Sequence, residues 1–118
     1  PTMYRRLLEL PKTSFFLFGP RATGKTTWLR QVLPEAHWVD LVPSEAFLRY
    51  LREPSLFRRE VEALPKGGWV VVDEVQKVPA LLDEVHALIA RHGKGYRFAL
   101  SGSSARKLRR LDANMLAG

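Results

Sequence analysis

A chain of 118 residues, 46% apolar and 26% charged, has room for one globular domain and the composition of one, which excludes disordered, collagenous and coiled-coil classes. No unbroken apolar run exceeds four residues, against the roughly 20 that a membrane helix needs, and the lack of cysteine excludes disulfide scaffolds, thiolate zinc sites and thiol nucleophiles. The net charge of +7 is unevenly placed: residues 1–90 hold twelve Lys/Arg against eleven Asp/Glu, whereas residues 91–118 hold seven against Asp112 alone.

Such a basic segment can attract phosphate, nucleic acid or an acidic protein surface, or can simply be a solvated helix end. No basic-then-apolar leader opens the sequence, so a cytoplasmic protein without membrane contact is expected.

In chain order, Met3–Leu10 has helical spacing and stops at Pro11. Phe15–Phe18 is a short continuous apolar run, the mark of a strand buried on both faces. Gly24–Leu33 reads as a helix with Trp28, Leu29, Val32 and Leu33 on its apolar face, closed by Pro34. Residues 37–42 read as a second strand, and Ser44 as the cap of a helix that carries Phe47, Leu48 and Leu51 and closes before Pro54. Another short helix spans Ser55–Leu64, followed by the loop Pro65-Lys66-Gly67-Gly68. Trp69–Val72, rich in β-branched residues, is the strongest strand. Pro79 opens a helix in which Leu82, Val85, Leu88 and Ile89 recur until His92-Gly93, and Tyr96–Leu100 is a fourth strand. It runs into Ser101-Gly102-Ser103-Ser104, with a last helix over Ala105–Leu111. This alternation predicts an α/β fold, a mostly parallel sheet with helices on both faces and ligand sites beyond the carboxyl ends of the strands.

Gly19-Pro20-Arg21-Ala22-Thr23-Gly24-Lys25-Thr26 fits G-x-x-x-x-G-K-[ST] at every fixed position, between a predicted strand and a predicted helix. At average amino-acid usage a chance match in a chain of this length has a probability of roughly 1% or less. The chemistry needs this arrangement: glycines let successive backbone N–H groups turn inward, and the helix start adds a partial positive charge. The sequence therefore assigns phosphate binding to Gly19, Pro20, Arg21, Ala22, Thr23, Gly24, Lys25, Thr26 and Thr27. Lys25 would reach the β- and γ-phosphates, Thr26 would ligate Mg²⁺, and Thr27 would contact the α-phosphate.

The strand Trp69–Val72 ends in Asp73-Glu74. A carboxylate there can hold Mg²⁺, and a second can polarise a water for in-line attack on the γ-phosphate, so Asp73 is the expected metal residue and Glu74 the expected base. An apolar strand ending in two solvated acids is common, and it is the pairing with the phosphate loop that gives these two their reading. No Asn-Lys-x-Asp element follows, which argues against a small G-protein. At the end of the fourth strand, Ser101 is a candidate sensor of the γ-phosphate, whereas Ser103 and Ser104 fit a helix cap equally well. Gln76 and Lys77 read as solvated loop residues. His37, His86 and His92 have no mutual metal spacing, and Trp28 and Trp38 read as packing residues.

Taken together, Gly19-Pro20-Arg21-x-x-Gly24-Lys25-Thr26-Thr27, Val72-Asp73-Glu74-Val75-Gln76-Lys77-Val78-Pro79, Phe98-Ala99-Leu100-Ser101-Gly102-Ser103-Ser104 and the closing Leu116-Ala117-Gly118 resemble the predicted AAA+-superfamily P-loop ATPases of bacteria and archaea. The resemblance covers residues from about 15 to 118. It implies a sheet order 5-1-4-3-2 with Ser101 in the sensor position, and a P-loop ATPase domain over 1–118 that forms the front of a longer protein with a further C-terminal domain. It also allows a homo-oligomer, since AAA+ relatives often complete their sites across subunits.

The main expectation is Mg²⁺-dependent ATP binding and hydrolysis. A nucleotide-switched nucleic-acid or protein binding module, with residues 91–118 as contact surface, is the alternative. A P-loop kinase is a weaker third, because no acceptor pocket is readable and Asp73-Glu74 favours water as nucleophile.

Overall fold

The computed structural model describes residues 10–19 and 24–103. The predicted helices over 3–10 and 105–111 therefore lie outside the described residues, apart from Leu10. Four strands, β1 (Phe15–Phe18), β2 (His37–Asp40), β3 (Trp69–Asp73) and β4 (Arg97–Gly102), form one sheet in the order β1-β4-β3-β2. Every pairing is parallel: Phe15 faces Ala99, Val70 faces Phe98, and Asp40 faces Asp73. Parallel registry brings all four strands to one common carboxyl edge, where Gly19, Leu41, Glu74 and Ser103 follow the last paired residues.

Among the described residues, four helices pack on this sheet: α1 (Lys25–Val32), α2 (Ser44–Arg52), α3 (Ser55–Glu62) and α4 (Ala80–His92). Their placement follows from the period-two alternation of strand side chains. Leu17, Val71 and Ala99 point to one face and meet Trp28, Leu29 and Leu33 of the α1 segment. Val39, Val70, Val72, Phe98 and Leu100 point to the other and meet Tyr50, Phe57, Val61, Leu82, Val85 and Leu88. The result is the expected α/β arrangement with helices on both faces.

Boundaries differ from the reading of the sequence in instructive ways. β2 stops at Asp40, short of residue 42, because the Asp40 carboxylate turns back to accept from the Val42 N–H at 3.0 Å and ends the ladder. β4 runs on to Gly102, since its carboxyl end continues to pair with β1 through Ser101 and Gly102. Ser44 is the first helical residue of α2 rather than its cap; Pro43 holds the cap position with extended backbone, and no side chain caps the helix. The apolar stripe of α2 is also shifted. Tyr50 is buried and Phe47 packs against the core, while Leu48 and Leu51 are 42% and 49% exposed.

Candidate functional site

The carboxyl edge of the sheet gathers the residues singled out in the sequence. Gly24 opens α1 in the left-handed region at φ 86°, a conformation that a side chain at this position would resist. The turn drives Lys25, the first residue of the helix, inward. Its side chain is 3% exposed, its ammonium donates to the Gly19 carbonyl at 2.9 Å, and it pairs with Glu74 Oε2 at 3.2 Å. Gly19 is in turn tied to the sheet, its N–H donating to the Gly102 carbonyl at 3.1 Å. Pro20, Arg21, Ala22 and Thr23, also assigned to phosphate binding, lie outside the described residues.

Thr26 and Asp73 meet, the Thr26 hydroxyl lying 3.4 Å from Asp73 Oδ2, so two oxygen donors of the kind a hard cation takes stand side by side. Gly24, Lys25, Thr26, Thr27, Asp73 and Glu74 line a single cleft, with Val42 as its apolar wall. Val42 was not singled out in the sequence. It arrives there because β2 lies beside β3, and the chain leaving β2 is held over the cleft by the Asp40 turn.

Glu74 is the only described residue other than glycine with positive φ, at φ 60° and ψ 50°. Such a conformation costs a side-chain-bearing residue about 1–2 kcal/mol, and it is held here by its surroundings. It starts the 3₁₀ turn Val75–Lys77, and the Lys77 N–H closes back on the Glu74 carbonyl at 3.0 Å. The tight turn brings Gln76 against Glu74, so Gln76 is not the solvated loop residue that its neighbourhood in sequence suggests. Its amide donates to Glu74 Oε1 at 2.6 Å and to the Ser103 hydroxyl at 3.2 Å, and Ser103 donates to the same Oε1 at 2.8 Å. Burial works to raise the Glu74 carboxyl. The hydrogen bonds from Gln76 and Ser103 and the ammonium of Lys25 outweigh it, and hold the group below the usual glutamate range. Lys77 is exposed, as expected, with its ammonium 5.9 Å from the Phe47 ring centroid.

Ser101 is fully buried behind the two acids. Its hydroxyl donates to Asp73 Oδ1 and accepts the Glu74 backbone N–H at 3.2 Å, so one side chain fixes both members of the acidic pair. It is not among the residues that line the cleft.

The remaining candidates lie elsewhere. Trp28 is buried, edge-on to Phe15 at 6.4 Å, and Trp38 carries the Arg30 guanidinium 4.0 Å over its ring. His92 bonds Glu62 at 2.6 Å, His86 is exposed, and no cluster of metal-ligating side chains occurs among the described residues. Within the basic segment 91–118, Arg91 pairs with Glu62 at 3.0 Å and Arg97 donates to the Gly67 carbonyl at 2.7 Å. Arg106, Lys107, Arg109 and Arg110 lie outside the described residues. No helix among the described residues is long and apolar enough to cross a membrane.

A parallel sheet with helices on both faces, a glycine-led helix start bearing a buried lysine, and an acidic pair at the carboxyl end of β3 define the class as a P-loop NTPase domain of the AAA type. The family model described as "AAA domain" matches residues 11–118, and the chain belongs to that family. Among solved structures, the chain is similar to the P-loop NTPase domain of the sigma-54 transport activator from E. coli. That likeness has a TM-score of 0.60 and 21% identity, and covers 94% of this chain and 91% of the other. It is a likeness of fold. No curated protein matches the chain in sequence.

Proposed function

We propose that the domain binds ATP with Mg²⁺ and hydrolyses it, with water as the nucleophile. The observation that carries this reading is the buried Lys25–Glu74 pair at 3.2 Å in a cleft that also holds Thr26 and Asp73. A lysine and a glutamate buried together at the end of a strand are costly to desolvate. Their retention makes sense where an anion is to displace the glutamate from the lysine.

The oxygen donors Thr26 Oγ1 and Asp73 Oδ2 fit a small hard cation, which takes one or two protein oxygens and completes its shell with water and phosphate. When bound, Mg²⁺ neutralises charge on the phosphate oxygens. The protein's own residues do the rest. The ammonium of Lys25 stabilises negative charge on the terminal phosphate, and the backbone amides at the start of α1 orient it. Ser101 keeps Asp73 and Glu74 in fixed relation, and Glu74 takes the proton of the attacking water. Val42 lines the cleft with apolar surface.

Isothermal titration and phosphate release test this reading together. Lys25→Ala is expected to abolish ATP binding. Glu74→Gln is expected to bind ATP as the parent does and to lose turnover by about 100-fold or more, the scale of general-base catalysis. Appearance of a phosphorylated acceptor instead of free phosphate would point to a kinase.

A further inference from the structure

The two oxygens of the Glu74 carboxylate have different partners. Oε2 faces Lys25 at 3.2 Å, whereas Oε1 receives Gln76 Nε2 at 2.6 Å and the Ser103 hydroxyl at 2.8 Å. The two donors are themselves linked, Gln76 Nε2 donating to Ser103 Oγ at 3.2 Å, so they form a closed triangle with Oε1. They come from separate elements. Gln76 is brought round by the left-handed backbone of Glu74 and the turn that follows, and Ser103 stands just beyond the end of β4.

The orientation of the Gln76 amide is fixed by this triangle. Rotating the amide would set its carbonyl oxygen against the Glu74 carboxylate, whereas the observed orientation keeps the N–H on Glu74 and turns Gln76 Oε1 away, where it meets no hydrogen-bond donor among the described residues.

We propose that Gln76 and Ser103 are positioning residues that clamp Glu74 through Oε1 and reserve Oε2 as the proton acceptor once phosphate draws Lys25 away. The inference rests on the reading of Glu74 as the base. In the step it serves, the water oxygen bonds to the γ-phosphorus as the bond to the bridging oxygen breaks. The electron pair of that bond leaves with ADP, and the water proton goes to Glu74 Oε2. A carboxylate held by one oxygen keeps its aim when the ion pair on the other is lost, which is the contribution of positioning to rate.

The test uses the 118-residue protein with ¹³C-labelled glutamate, comparing Gln76→Leu, Ser103→Ala and Ser103→Thr by the Glu74 carboxyl resonance at one neutral pH without nucleotide and by turnover with it. Loss of either donor is expected to shift that resonance, which reports the hydrogen bonds on Oε1, and to lower kcat about tenfold or more. The Kd for ATP should stay within about threefold, and Ser103→Thr, which keeps the hydroxyl, should behave as the parent. A Glu74 resonance unmoved in both Gln76→Leu and Ser103→Ala overturns the clamp, whether or not turnover is measurable. Turnover retained in Glu74→Gln instead overturns the assignment of the base, whatever the clamp variants do.

Discussion

Glu74 concentrates the physical chemistry of this chain. It accepts a left-handed backbone, shares a buried ion pair with Lys25 and takes two further hydrogen bonds on one oxygen. Because its folded pKa is lowered, the interactions of its charged form contribute stability that is complete above the ordinary value of 4.5 and is lost as pH falls through the lower folded value. Glu74→Gln should therefore flatten the acid limb of a stability-versus-pH curve measured by denaturant unfolding below pH 4.5. An acid limb identical to the parent's would show that Glu74 titrates alike in both states. Ser101 makes the complementary prediction. Ser101→Ala removes the acceptor of the buried Glu74 N–H and should cost about 1–3 kcal/mol of unfolding free energy, whatever it does to catalysis. A change below about 0.5 kcal/mol would mean that another group satisfies that N–H.

Among elements, the strands were the most legible, because Phe15–Phe18 and Trp69–Val72 are continuous apolar runs and the two other segments, 37–42 and 96–100, are short, apolar-rich and followed by Pro or by Ser-Gly. The glycine-led start of α1 was legible for a different reason: Gly24 and Lys25 serve local backbone geometry, the glycine taking the left-handed φ of 86° that opens the helix. What escaped the sequence depended on contacts between distant segments. Gln76 reads as a solvent-facing neighbour of two acids until the turn at Glu74 and the approach of Ser103 are known. Val42 becomes a cleft residue only through the adjacency of β2 and β3. On α2, leucines at helical spacing suggest a buried stripe, yet Tyr50 takes the core position through its edge-on contact with Phe57 at 6.3 Å. These placements separate two substitutions that sequence alone would rank together. Phe57→Ala, at a fully buried position, should cost about 3–5 kcal/mol. Leu51→Gln, on the exposed side of α2, should fall within about 0.5 kcal/mol of the parent. Chemical denaturation measures both, and a large loss in Leu51→Gln would mean that this face is covered in solution.

At the scale of the whole molecule, the domain divides its work between two faces of one sheet. The larger cluster, from Val39 to Leu100, holds α2, α3 and α4, while the smaller fixes α1 and with it Lys25 and Thr26. The site lies where β1, β4 and β3 end side by side, so its geometry is inherited from the parallel register. Within the basic segment, Arg91 and Arg97 serve the fold: Arg91 joins α4 to Glu62, and Arg97 lies 4.9 Å from the Trp69 ring while holding the Gly67 carbonyl, whereas Lys94 is exposed. Alkaline pH should loosen the larger cluster at one point. The Tyr50 hydroxyl is pushed up to about 12, first by burial and then by its hydrogen bond to Glu60. Its contribution is complete below the ordinary value of 10.0 and declines as pH rises toward about 12, a decline that Tyr50→Phe should remove.

In the proposed function, the buried lysine of the cleft is held for a nucleotide phosphate. Calorimetric titration of ATP, ADP and GTP into the 118-residue protein, with and without Mg²⁺ and against Lys25→Ala, tests it most directly. The expected result is ATP binding that Mg²⁺ strengthens and Lys25→Ala abolishes. ATP binding that survives unchanged in a folded Lys25→Ala protein, or no binding by the folded parent at any Mg²⁺ concentration, would contradict it.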